Sequence, residues 1–263
     1  MDLRLKGKIA VILASSAGIG KGVATVLAEE GCKIAICGRR MEKLQTAKKE
    51  IHGKTGKEVF AKTVDVSRAE SLNDFFSAVY SEYGQIDILV NNAGGPPAGD
   101  STSFTDRDYY AAFELSLMSV IRSCRIVLPK MKGQKFGRII TIASTSVKCV
   151  MEDMILSNTF RNAVVGFNKS LAIEAAIDGV RVHTLMPGPF MTDRVNELGG
   201  AAAKRERLSF NEWKKKAESN TPLRRFGSPE EIGQAVAFLS SELADYMNGT
   251  CIPVDGGILA NVI

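Results

Sequence analysis

The first residues able to do chemistry lie in a glycine-punctuated turn, Ala14-Ser15-Ser16-Ala17-Gly18-Ile19-Gly20. An apolar run enters it and an amphipathic segment leaves it. Such a turn brings backbone N–H groups and a helix N-terminus up to a pyrophosphate. Gly18 and Gly20 remove side chains that would block that approach and the helix–strand contact. Ser15, Ser16 and Ile19 are expected to share the contact. The alternative is an ordinary strand-to-helix turn; the position at the start of an α/β pattern favours the phosphate.

Gly38-Arg39-Arg40 ends the second apolar run. A carboxylate there would accept from a ribose 2′-hydroxyl and repel a 2′-phosphate. Arg39 and Arg40 can instead pair with the phosphate. This predicts NADP, with NAD as the alternative cofactor; the competing reading is two surface arginines opening a helix. Asp65-Val66 follows the third run, where the Asp holds an adenine amino group or caps a helix. Asn91-Asn92-Ala93-Gly94 follows the fourth. Asparagines there tie neighbouring strands and Ala93-Gly94 lets a cofactor pass close by, or the stretch is a plain turn.

These residues need a scaffold. Short apolar runs predict strands over 8–13, 33–37, 58–64, 86–90, 137–143, 180–186 and 251–254. Amphipathic segments predict helices over 18–30 (closed by Gly31), 41–54, 67–83 (Ser67 as N-cap), 105–132, 157–177 and 228–240. Strands apolar on both faces, alternating with helices, imply a parallel sheet covered on both sides. The expectation is one α/β domain over residues 1–263, with a doubly wound three-layer sheet. The polar stretch 190–220 follows the sixth strand and is placed to act as a lid, because ligands bind beyond the carboxyl ends of such strands.

Composition is that of a globular protein: 263 residues, 45% hydrophobic and 24% charged, with formal net charge +5. Much of the excess sits in Lys204-Arg205-Glu206-Arg207 and Lys214-Lys215-Lys216, which read as solvated helix faces rather than a nucleic-acid site. The five cysteines include no C-x-x-C pair, so a disulfide framework is not expected and a reducing cytoplasm fits. His52 and His183 make no metal pattern. No signal-peptide core and no membrane-spanning run is expected.

Together these motifs resemble the short-chain dehydrogenase/reductase family. The likeness runs through the glycine-rich turn, Asp65-Val66, Asn91 to Gly94, Pro187-Gly188 with Thr192, and Val254-Asp255-Gly256-Gly257. It implies a Rossmann fold of about seven strands, a nicotinamide cofactor and usually a homotetramer, with a dimer as the other oligomer considered. It also implies that Pro187, Gly188 and Thr192 sit by the nicotinamide carboxamide. Leu13 and Ala14 stand where the family usually has Thr and Gly.

The catalytic end departs further. The family pattern is Ser, twelve residues, Tyr, three residues, Lys, with an Asn in the preceding helix. Here the matching positions are Ser144, Ser157, Arg161 and Ser116. No Tyr occurs between Tyr110 and Tyr246, so no shift of register restores it. An aliphatic hydroxyl is a far weaker acid than a phenol, and Arg does not give up a proton. Ser144 and Ser157 can still polarise a carbonyl, with water delivering the proton. Arg161 can add positive charge and hold the ribose. Alternatively, a different acid substitutes: Lys148, Glu152 or Asp153, after the fifth strand. The expected function is an NADP-preferring oxidoreductase acting on a carbonyl or secondary alcohol by a non-standard relay. The alternative is a dinucleotide-binding sensor or partner subunit without catalysis. Phe190, Met191, Val195, Leu198, Leu208, Phe210 and Trp213 either line an apolar pocket or, as favoured, pack the lid. The apolar tail from Ile258 to Ile263 suits a subunit interface or a buried tail.

Overall fold

Strands rich in Ile, Val and Ala and buried on both faces require cover on both sides, and the chain supplies it from alternate crossovers. The structure, a computed structural model, describes residues 1–260; the side chains of Arg194, Glu197 and Leu198 lie outside the described set, as do Asn261, Val262 and Ile263 of the expected tail. Seven strands run as β1 (Ile9–Ile12), β2 (Lys33–Gly38), β3 (Val59–Thr63), β4 (Ile88–Asn91), β5 (Gly137–Ile142), β6 (Val180–Pro187) and β7 (Cys251–Val254). All pair in parallel, in the order β3-β2-β1-β4-β5-β6-β7.

Side-chain alternation sorts the core into two layers. Ala10 and Ile12 of β1 face one cluster with α1 (Gly18–Glu29), α2 (Met41–Thr55) and α9 (Pro229–Ser240). Val11 faces the other with α3 (Ala69–Tyr83), α5 (Ser119–Gln134) and α6 (Ile155–Ala175). The strand order reverses direction between β1 and β4, and the crevice that opens beyond their carboxyl ends is where ligands of such sheets bind.

The alternating pattern predicts these elements closely, and Gly31 takes the left-handed backbone (φ 85°) that closes α1. Two expectations are corrected, and the lid gains its bounds. Helix α3 begins at Ala69 with Arg68 as its N-cap, not Ser67. Ser67 instead donates both its N–H and its hydroxyl to Asp65 Oδ1 (3.0 and 2.7 Å), which holds it in the preceding turn. The expected long helix 105–132 is interrupted: α4 (Asp106–Phe113) passes through a π-helical turn, Glu114–Met118, into α5. The stretch after β6 contains α7 (Asp193–Glu206) and α8 (Phe210–Ser219). Thr192 and Ser209 cap them, the latter in a reciprocal box with Glu212.

Of the lid's large side chains, Met191 lines a cavity whereas Phe190, Phe210 and Trp213 pack the lid. Phe190 is buried against Gly227, and Trp213 lies between Phe210 and Phe226 with centroid distances of 5.7 and 6.3 Å. Three of its basic residues are paired: Lys216 with Glu206, Lys214 with Glu218, Arg205 with Asp153. Among the described residues no helix is long and apolar enough to cross a membrane.

Candidate active site

The glycine-rich turn is shaped by its neighbours. Ala14 has φ 46°, a left-handed conformation that an L-residue with a Cβ enters at a cost of roughly 1–2 kcal/mol. Asn92 holds it there, donating from Nδ2 to the carbonyls of Leu13 (3.3 Å) and Ala14 (3.0 Å). A Cβ on Gly20 would stand 2.7 Å from the Ala14 oxygen and 2.8 Å from Asn92 Nδ2, so only glycine fits. Gly18 is also left-handed, at φ 54°. We expect Ala14→Gly to leave the fold intact and to raise stability by up to about 1 kcal/mol, relief of strain partly offset by a looser unfolded chain. Thermal midpoints of the two proteins check this; a clear fall would show that Ala14 is not strained.

This turn suits a dinucleotide pyrophosphate. Ala17 caps α1 through extended backbone with no side-chain bond, and the first turn holds no acidic residue. The first N–H groups of α1 are thus left for an anion, and no acid of that turn repels one. Ser16 lies over Gly38 at the end of β2, where a Cβ would meet its hydroxyl at 2.7 Å. Arg39 and Arg40 follow, both exposed, with Arg40 capping α2. A cavity of 580 Å³ opens beside this edge; Ser16, Gly18 and Thr192 line it with two lysines, Lys21 and Lys43, and four acids, Glu42, Glu50, Asp193 and Glu230.

Several predicted residues serve the scaffold. Ser15 is fully buried: its hydroxyl donates to the Ile12 carbonyl (2.7 Å) and accepts from Cys37 N–H (3.2 Å), stitching β1 to β2. Asn91 is buried as well; it donates to Thr141 Oγ1 (3.4 Å) and accepts from Ser123 (2.5 Å), tying β4 to β5 and α5. Ile19 packs on the core and Val66 is buried. Gly188 N–H donates to Val254 (3.0 Å), and a Cβ there would press within 2.7 Å of Asp255. Thr192 caps α7 and lies against Gly18. Burial pushes the Cys37 and Cys124 thiols up to about 12, so neither is a nucleophile near neutral pH.

At the other end of the crevice the structure brings Ser116, Arg161, Asn92 and Ala93 around a cavity of 10 Å³, room for about one water molecule. Arg161 donates from Nη1 to the Ile142 (3.0 Å) and Ala143 (2.8 Å) carbonyls at the end of β5. Ser116 sits in the π-helical turn, buried, its hydroxyl without a partner among the described residues. Ser144 follows β5 and accepts from Ser146 N–H (3.1 Å), leaving its own proton to donate. Ser157 stands one turn before Arg161 on α6 and is 3% exposed. Of the substitute acids, Lys148 and Glu152 face solvent, and Asp153 is drawn to the lid by Arg205 (3.2 Å).

Sequence reasoning passed over Asn92 as a site residue, although its place beside Asn91 was the available signal. It passed over Lys43 and Asp193 entirely. They meet across 150 residues of chain, and no local pattern marks such a pair.

Sheet order and the glycine turn define a doubly wound fold of the nucleotide-binding kind. Comparison with known proteins agrees. A family model described as enoyl-(acyl carrier protein) reductase matches residues 13–259. The chain is 33% identical to the uncharacterized oxidoreductase YvaG of Bacillus subtilis (strain 168), covering 100% of both. It is 33% identical to the 3-oxoacyl-acyl-carrier-protein reductase FabG of Aquifex aeolicus, covering 98% of this chain and 100% of that one. The crystal structure of L-sorbose reductase from Gluconobacter frateurii, complexed with NADPH and L-sorbose, superimposes with a TM-score of 0.95 at 32% identity over 100% of both chains. The chain belongs to the short-chain dehydrogenase/reductase family.

Proposed function

We propose that the protein is an NADP-dependent oxidoreductase that interconverts a carbonyl and a secondary alcohol without the family's usual Tyr and Lys. The observation that carries this reading is Arg161: a fixed cation at the end of β5, lining the small cavity with Ser116 and close to Ala93 on the expected cofactor path. NADPH, when bound, supplies the hydride. Arg161 stabilises negative charge growing on the carbonyl oxygen and holds ribose hydroxyls, but passes no proton. Ser144 and Ser157 donate hydrogen bonds to that oxygen, and solvent supplies the proton that completes the alcohol. Similar reductases with NADPH bound, such as the L-sorbose enzyme, support the cofactor.

Calorimetric titration of NADPH and NADH, followed by a screen of ketones with whichever binds, tests the reading. NADPH binding with its oxidation by some ketone supports it; absence of binding by either cofactor sinks it. The sensor alternative draws on Ser157, an aliphatic hydroxyl that cannot replace a phenol, and gains if NADPH binds and no carbonyl turns over.

Arg39→Asp should weaken NADPH by about 10- to 100-fold, the worth of one charge-assisted hydrogen bond, and improve NADH. Unchanged NADPH affinity in that variant removes Arg39 from the 2′-phosphate site. The protein is further proposed to be a homo-oligomer. Ile173 near the end of α6 and Ile177 in the 3₁₀ turn that follows it, 82% and 90% exposed, are apolar surface that a second copy would cover. Light scattering decides between monomer, dimer and tetramer.

A further inference from the structure

One arginine joins the two ends of the crevice and has no part in the reaction proposed above. Arg122 on α5 donates from Nη1 to the Ser67 carbonyl (3.2 Å), in the turn between β3 and α3. Ser67 gives both its N–H and its hydroxyl to Asp65 Oδ1, and the Asp65 N–H donates to Ser71 Oγ (3.0 Å). The Asp65 carboxylate is thus fixed through one oxygen, and the other can accept from an adenine amino group. The same guanidinium reaches Glu114, the first residue of the π-helical turn, with Nη1 on Oε2 and Nη2 on Oε1 (3.2 Å). A guanidinium held by both carboxylate oxygens is directional, unlike a loose surface pair.

Glu114 and Arg122 are eight positions apart. On an unbroken α-helix that spacing leaves two side chains about 80° apart around the axis. A π turn takes in one extra residue, so eight positions fall in phase as seven do on a regular helix. The ion pair therefore favours the π turn over a straight helix. Ser116 sits within that turn, buried, and lines the small cavity with Arg161. Straightening the helix would turn Ser116 away from its place on the cavity wall.

We propose that Arg122 is a positioning residue for both ends of the crevice: it holds the turn expected to meet adenine and the π turn that carries Ser116, so that filling the adenine end stiffens the Ser116 end. The proposal rests on the NADP reading above. The link is a continuous chain of hydrogen bonds, Asp65 to Ser67 to Arg122 to Glu114, and each member can be cut singly.

The probe is adenosine 2′,5′-bisphosphate, the adenine half of NADP, which lacks the nicotinamide that would approach Ser116 directly. Hydrogen exchange of the amides in 65–71 and 114–118 is measured with and without saturating probe on the full chain, as wild type, Arg122→Met and Glu114→Ala. Thermal midpoints control for folding, and calorimetry gives the affinities. In wild type the probe should slow exchange in both segments, in 114–118 by about five- to tenfold, the lower range of measured couplings. Glu114→Ala should bind the probe as wild type does and lose the slowing in 114–118. Arg122→Met should lose it too and bind the probe about three- to tenfold more weakly. If Arg122→Met does not fold, Glu114→Ala decides alone. Slowing in 65–71 without slowing in 114–118 in wild type overturns the coupling. Equal slowing of 114–118 in all three proteins overturns the role of Arg122, because the probe then reaches the π turn by another route. Either result sinks this inference alone; wild type that binds neither the probe nor NADPH sinks the NADP reading and this one with it.

Discussion

Replacing Ser157 by Tyr together with Arg161 by Lys should raise ketone reduction by about 10²–10⁴-fold in kcat, the usual worth of a positioned general acid. The two positions lie one turn apart on α6, so their side chains share a face. A phenol, with an ordinary pKa of about 10, can be lowered by an adjacent ammonium to share a proton near neutral pH. The serine hydroxyl cannot be tuned that far. The double change is needed because Arg161 is bonded to the Ile142 and Ala143 carbonyls. A lysine at that place keeps a cation but is more compact and leaves room for the ring. The measurement is kcat against pH at saturating NADPH, on variants with unchanged thermal midpoints. Wild type should lack the alkaline limb that a phenol creates, and the double variant should gain it. A folded double variant that binds NADPH and is no faster on any ketone would mean that this end of the crevice is not a carbonyl site.

The second large effect is on stability. His183 on β6 is 1% exposed. Its Nδ1 lies 2.7 Å from Thr250 Oγ1, and its Nε2 has no partner among the described residues. Burial first, then the Arg138 and Arg181 guanidiniums, depress its pKa to about 4. The folded state therefore keeps this ring neutral. The unfolded chain takes up a proton at the ordinary value of about 6.5. Stability from this residue is complete above pH 6.5 and falls as pH drops toward 4, by about 3 kcal/mol in all. For a chain of this size that is a fall of roughly 6–12 °C in thermal midpoint. His183→Gln should remove most of that slope while lowering the midpoint at neutral pH. Equal slopes in the two proteins between pH 4 and 6.5 would clear His183 of the effect.

Both predictions depend on tertiary neighbours, and this marks the limit of what the sequence makes legible. The strands were readable because runs such as 9–12 and 88–90 are apolar on both faces, which parallel sheets demand. The π-helical turn was not, because its apolar periodicity continues that of α4 and α5. The lid helices were read only as solvated helix faces at 204–207 and 214–216, without bounds, because Gly199-Gly200 and the charged stretch 204–207 mask the period of α7. The box Ser209–Glu212 was a usable start signal for α8. At the site, the glycine turn and Arg39-Arg40 were visible because phosphate chemistry dictates local patterns. Asn91 as a strand tie was legible too, because an Asn at a strand end has few other uses; Ser15 as a tie was not, since its partners Ile12 and Cys37 are set by the pairing of β1 with β2. His183 looked inert for the same reason: its burial and the two guanidiniums beside it belong to the assembled sheet.

The Asn92 clamp on Leu13 and Ala14 bears on the order in which this protein becomes competent. The nucleotide turn is encoded within the first twenty residues, yet the group that fixes its shape arrives at the end of β4. A chain emerging from the ribosome would have β1, β2 and β3 available for pairing before it had that clamp. The early half-sheet could bury apolar surface but would hold its phosphate turn loosely. Ligand capture is thus deferred until β4 has joined β1, which ties the first use of the cofactor to a long-range event in folding rather than to the segment that carries the glycines.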